Sequence, residues 1–125
     1  MISENRTNPK DLIGNLKVDL TLFPPAGTIY GNLGFRDGAK KYGPYNWRDK
    51  HVRYLVYLSA IKRHVEALLD REDYAEDSGL HHLCHIIANG GLLADAFEGG
   101  WLIDDRPPAG PAGKVLKKYM KEPQV

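Results

Sequence analysis

Residues 50–70 contain neither glycine nor proline. Val52, Leu55, Val56, Leu58, Ile61, Val65, Leu68 and Leu69 recur there at helical spacing. An uninterrupted apolar stripe of that period specifies an amphipathic helix and little else. The polar, acidic stretch 71–77 ends it, and Asp77 or Ser78 is the natural N-cap of a second helix. Leu80, Leu83, Cys84, Ile87, Leu93, Ala94 and Phe97 carry the helical period on to about residue 97, with Gly90-Gly91 permitting close packing or a kink. Two helices joined by so short a turn must lie antiparallel. The expected fold is therefore all-α: a small helical bundle built on an antiparallel hairpin of about 50–70 and 78–97, with an extended N-terminal segment.

The flanks are weaker. Pro24-Pro25 suits a helix start, where a missing N–H costs nothing. In the stretch that follows, glycines 27, 31, 34 and 38 each lower helix propensity by about 1 kcal/mol relative to alanine, so tertiary packing has to hold it. Residues 17–23 alternate polar and apolar, but no second convincing strand follows to pair with them. They are expected to be extended and to pin their apolar side chains to the helical core. Residues 1–15 are expected to be a mobile arm, 16–105 one helical domain, and 106–125 a Pro/Gly linker and basic tail with a last short helix near 114–121.

At 125 residues the chain is one domain. Seventeen basic and 16 acidic residues leave a net charge of +1, so no strong field favours polymeric nucleic acid or a membrane surface. The single cysteine, Cys84, excludes an internal disulfide and fits a reducing compartment. No apolar run approaches the roughly 20 residues of a membrane span, and the polar N-terminus is unlike a signal peptide. A cytoplasmic protein is expected.

Chemistry is concentrated around the hairpin turn. Arg63-His64, Glu72-Asp73, Glu76-Asp77 and the run from Ser78 to His85 place four carboxylates and four of the five histidines close together. At about 1.5 Å per residue, His64 and His85 both sit roughly 10 Å from the turn, at similar height. His82, His85 and Asn89 share one helix face. Carboxylates there suit a hard cation with a phosphate-bearing partner, and histidines suit a softer ion. Histidine and arginine can also bind phosphate directly, and all of these residues can equally be ordinary turn and capping groups. A second constellation, Lys40-Lys41-Tyr42 with Asn46-Trp47-Arg48, can stack a base and neutralise phosphate, although Trp47 can equally be core. Lys17 and Asp19 form a weaker third pair. Phosphate loops, dinucleotide fingerprints and the HExxH zincin motif are absent.

Taken in order, these motifs resemble a known family. Lys17 to Pro25, Gly38 to Arg48, Arg63-His64, Glu72-Asp73, Ser78 to His85, and Asn89 are similar to the phage dATP/dGTP diphosphohydrolase N-terminal domain family, related to all-α MazG-like nucleotide pyrophosphohydrolases. The resemblance implies metal-dependent hydrolysis of dATP or dGTP to monophosphate and pyrophosphate, serving phage nucleotide-pool control in the infected host's cytoplasm. It implies Mg²⁺ or Mn²⁺ held by Glu72, Asp73 and Asp77. Glu72, Asp73, His64 and His85 would be catalytic. Lys17, Asp19, Lys41, Tyr42, Asn46, Trp47, Arg63, His82 and Asn89 would bind a purine nucleotide. A homo-oligomer is also implied, with neither membrane nor polymeric nucleic acid as partner. The carboxylate pattern departs from the relatives: no strict ExxE…ExxD pair is present, and Ala75 stands at an acidic position. That departure leaves an alternative, a non-catalytic sponge binding a nucleotide or cyclic nucleotide against host antiphage signalling.

Overall fold

A computed structural model describes residues 8–123 of the chain. Its elements are α1 (Pro9–Gly14), α2 (Pro25–Tyr42), α3 (Asn46–Asp49), β1 (Val52–Arg53), α4 (Tyr54–Leu69), α5 (His82–Gly99), β2 (Leu102–Ile103) and α6 (Ala112–Lys118). The fold is mainly helical, as the periodicity requires. The hairpin is α4 and α5, and α5 is its centre, because α2 and α4 both pack along it. The buried core accordingly lies mostly on α5: Cys84, Ala88, Leu92, Leu93 and Ala96, joined by Val52 and Ala75.

The glycines of α2 owe their place to that packing. A Cβ on Gly34 would lie 2.5 Å from the carbonyl oxygen of Cys84 and 2.7 Å from the Ala88 methyl. One on Gly31 would lie 2.9 Å from Ile87 Cγ2. Both glycines are buried. Intrinsic propensity counts them against the helix, whereas burial of the α2 backbone on α5 requires them. Gly90 and Gly91 do not interrupt α5, and a Cβ on Gly91 would meet the Phe35 ring at an ordinary contact distance of 3.7 Å.

The boundaries differ from the sequence expectation for non-local reasons. The helix expected from residue 50 starts at Tyr54, because Val52 and Arg53 are extended and pair in parallel with Leu102 and Ile103. The Val52 N–H donates to the Trp101 carbonyl at 3.0 Å, which ties the end of α5 back to the start of α4. Helix α5 starts at His82, not at 78. Gly79 turns the chain with φ of 72°, and Tyr74 bridges His81. The cap is His81, whose Nδ1 accepts from the Leu83 N–H at 3.1 Å, so Asp77 and Ser78 do not cap the helix.

The N-terminal expectations also change. Residues 17–23 form no strand, and Leu16, Val18, Leu20 and Leu22 stand exposed instead of pinned to the core. Within the segment read as a mobile arm, Asn8 caps α1 by accepting from the Lys10 N–H at 2.9 Å, and Pro9 occupies its first turn. The first seven residues of that arm lie outside the described residues. No helix among those described is long and apolar enough to cross a membrane.

Candidate functional site

Helix α4 presents His64 to the face of α5 that carries His82 and His85, so the histidines predicted to share a level do meet. The His64 and His85 rings stack at 4.8 Å between centroids, tilted by 15°. Nδ1 of His64 lies 2.7 Å from Nδ1 of His82, and Nε2 of His82 lies 2.7 Å from Oε2 of Glu72. These contacts constrain the protons. The Glu72 carboxylate only accepts, so His82 donates through Nε2. In the neutral pair, His82 then accepts at Nδ1 from the Nδ1–H of His64, and Nε2 of His64 keeps a free lone pair. A carboxylate, a buried imidazole and a half-buried imidazole thus form a relay ending at a base.

His85 is held separately. Ser78 Oγ lies 2.8 Å from Nε2 of His85 and accepts from the Leu80 N–H at 3.2 Å. With that lone pair used, the Ser78 hydroxyl is free to donate to His85. Burial lowers the pKa of His64 below the ordinary histidine range, and His85, His82 and Arg63 act in the same direction against the opposing pull of Asp77. Burial also lowers that of His85, against the pull of Asp37 and Asp77. Both rings are therefore neutral at pH 7. Lys41 closes the cluster, bonding Asp37 at 3.0 Å and lying 3.6 Å from Asp77. The Asp37 hydrogen bond raises its pKa above the usual lysine value.

Beside the cluster lies a cleft of about 590 Å³, within the few-hundred-ångström range of small-molecule sites. Tyr42, Asn46, Trp47 and Asn89, expected to bind the nucleotide, line it together with Tyr57 and Phe35. Trp47 combines the two roles weighed for it: its ring walls the cleft and also packs on the core of Val52, Leu92 and Ala96. The side chains of the cluster do not line the cleft, but three helices run from one to the other. Asn89 is one turn beyond His85 on α5, about 6 Å along the axis. Tyr57 is two turns before His64 on the same face of α4, about 10 Å away. On α2, Tyr42 of the cleft follows Lys41 of the cluster directly.

Other expected site residues are not brought in. Lys17 and Asp19 lie in the exposed segment after α1, where the Asp19 carboxylate is taken up by the N–H and hydroxyl of Thr21 at 2.9 and 2.6 Å. Arg63 turns to Ser59 Oγ at 3.1 Å on the exposed side of α4. Asp73 contributes its carbonyl, which accepts from the His82 N–H at 2.8 Å, while the residue stays exposed.

The carboxylates expected to hold Mg²⁺ or Mn²⁺ are likewise dispersed in this arrangement: Glu72 faces His82, Asp77 faces Lys41, and Asp73 joins neither. Among the described residues no three His, Cys, Asp or Glu side chains are gathered closely enough to hold an ion. As placed, the residues do not fit a carboxylate-built metal centre. Two contributors carry no site signal in the motifs: Asp37, legible as the i,i+4 partner of Lys41, and Asp95, which holds Trp47 and Arg48 from 47 or more residues away and leaves no local signal.

A family model described as dATP/dGTP diphosphohydrolase, N-terminal, matches residues 7–106. A dATP/dGTP diphosphohydrolase of Salmonella phage PMBT28 is 36% identical over 91 residues, covering 73% of this chain. The chain spans 29% of that relative's length. No solved structure matches the chain.

Proposed function

The chain belongs to the dATP/dGTP diphosphohydrolase N-terminal family, and on that footing we propose that it binds a purine deoxynucleoside triphosphate and hydrolyses it to monophosphate and pyrophosphate. The observation that carries this is an aromatic, amide-lined cleft about one to two helical turns from a histidine cluster in which His64 and His85 are held neutral. Asn46 and Asn89 offer the paired donors and acceptors that read a base edge. Tyr42 and Trp47 offer ring faces on which a base stacks.

The phosphates then lie toward Lys41 and the histidines. Nε2 of His64 takes a proton from the water that attacks the α-phosphorus, and pyrophosphate leaves. His82 and Glu72 share the charge that His64 acquires, as general-base catalysis requires. Mg²⁺ or Mn²⁺ enters this account as the counter-ion of the nucleotide, and no step of it depends on a resident ion.

The test is chromatography of dATP and dGTP after incubation with the protein, with Mg²⁺, with Mn²⁺ and with chelator. Monophosphate and pyrophosphate are expected with at least one of the ions. Intact triphosphate released unchanged from the protein under every condition, beside a working control hydrolase, favours the alternative sponge. The engagement of Glu72 with His82 and of Asp77 with Lys41 is the observation that supports that alternative.

The working unit in this proposal is an assembly of copies. The accessible surface is 10793 Å², against about 6,700 Å² for an ordinary folded monomer of this mass. Much of that surface belongs to the exposed segments 8–26 and 106–123. Helix α4 contains no buried residue, and Ile61, Val65 and Leu69 form a stripe along it at i, i+4 and i+8. A second copy covers that stripe.

A further inference from the structure

We propose that Asp95 is a positioning residue that fixes the base-binding wall of the cleft, and through it the affinity for the nucleobase, without acting on the phosphates. The proposal rests on the nucleotide reading above and concerns a residue to which neither motif nor family pattern assigned a role.

The geometry is specific. Oδ2 of Asp95 accepts from the indole Nε1–H of Trp47 at 2.7 Å and from Nε–H of Arg48 at 3.0 Å, and Oδ1 accepts from Nη2–H of Arg48 at 2.9 Å. Arg48 is thus gripped by both carboxylate oxygens, the geometry in which an arginine fork is most strongly oriented. The bonds from Arg48 and Trp47 hold the Asp95 carboxyl below the usual carboxylate range, so it stays ionised throughout the neutral region. The guanidinium carbon lies 4.9 Å from the centroid of the Tyr45 ring and 5.3 Å from that of Trp101. Trp47 also packs against Phe35, with centroids 5.2 Å apart, and against Tyr45, at 5.6 Å.

The segment so held has little to order it by itself. Helix α3 is four residues long, far too short to persist alone. Gly43 precedes it at φ of 87°, and Tyr45, its N-cap residue, sits in the left-handed region at φ of 57° with no side-chain cap bond. A non-glycine residue there is strained and persists only when its surroundings over-determine it. The surroundings that do so are the Arg48 stack and the Asp95 grip. Asn46 lies between Tyr45 and Trp47 in the chain and lines the same cleft, so its backbone is held by the same contacts. With Asp95 removed, Trp47 loses its indole partner, Arg48 swings free and the backbone of Asn46 loses that hold. The histidine cluster, about three to four turns back along α5 and on the far side of Asn89, keeps its own bonds.

The test compares wild type, Asp95→Asn and Asp95→Ala, each checked for helical content. Readouts are KM and kcat for dGTP, the dissociation constants of deoxyguanosine and of pyrophosphate, and the tryptophan emission maximum. Asp95→Ala is expected to raise KM and the deoxyguanosine dissociation constant about tenfold or more, as loss of a charged bonding group does. It should leave kcat and the pyrophosphate constant within about twofold and red-shift the emission. Asp95→Asn keeps an acceptor for Trp47 and loses the charge on Arg48, so it falls between the two and keeps the test readable if Asp95→Ala unfolds. Unchanged KM, or a fall in kcat with KM intact, overturns the proposal while wild-type turnover leaves the nucleotide reading standing. Wild-type protein that neither binds nor hydrolyses a purine nucleotide overturns the nucleotide reading, and this proposal with it.

Discussion

Two alanine substitutions in one helix isolate the contact on which the site depends. Gly34 and Gly38 both lie within α2, so each gains the same intrinsic propensity on replacement, about 1 kcal/mol. Their surroundings differ. At Gly34 the new methyl would lie 2.5 Å from the Cys84 carbonyl oxygen and 2.7 Å from the Ala88 methyl, whereas at Gly38 nothing stands within 4 Å. Backbone of a packed helix cannot turn aside as a flexible side chain can, so Gly34→Ala must push α2 away from α5. Overpacking of this kind costs about 1–3 kcal/mol, sometimes more. With propensity cancelling between the two, Gly34→Ala should be less stable than Gly38→Ala by about that amount, and Gly38→Ala should be at least as stable as wild type. Urea denaturation followed by circular dichroism, at equal protein concentration because assembly shifts apparent stability, measures the difference. Gly38 also lines the cleft, so Gly38→Ala should gain stability while weakening dGTP binding. Equal stability of the two variants, or a stabilised Gly34→Ala, would refute the close approach of α2 to α5.

Glu72→Gln should lower kcat for dGTP about 10- to 100-fold with little change in KM, because it removes the charge behind the His82–His64 relay; a large rise in KM with kcat preserved would place Glu72 in binding instead. Acid should destabilise the fold as pH falls below about 6.5, since burial depresses His64 and His85 and the unfolded chain then binds more protons than the folded one. The denaturation midpoint should therefore drop between pH 7 and pH 5.5, and a midpoint that is flat or rises there contradicts the neutral assignment of the two rings. Val65→Glu should shift the light-scattering mass toward the 14.0 kDa chain if a second copy covers α4, whereas an unchanged mass would move the interface elsewhere.

What the sequence reveals is what helical periodicity controls. The rise per residue sets His64 and His85 at one level, and their rings stack. The helical spacing of Asn89 from His85 takes the same face on to the cleft. Contacts between distant segments are not written in periodicity. Glycine lowers the propensity of α2 locally, but its benefit appears only once Cys84 and Ala88 are known to lie opposite. Pairing of Val52 with Leu102 trims the start of α4 through a partner 50 residues away. The carboxylates of the turn were legible as a cluster. Which group each one faces depends on torsions, and these turned Glu72 to His82 and Asp77 to Lys41. Asp95 could be found only in three dimensions.

The central claim is that cleft and cluster are the two ends of one nucleotide site. Calorimetric titration of wild type, Asn46→Ala and His64→Ala with dGTP and with deoxyguanosine tests it most directly. The account predicts that Asn46→Ala weakens both ligands alike, and that His64→Ala weakens dGTP while leaving deoxyguanosine unchanged. Equal loss of both ligands in His64→Ala, or dGTP affinity untouched by either substitution, would contradict it.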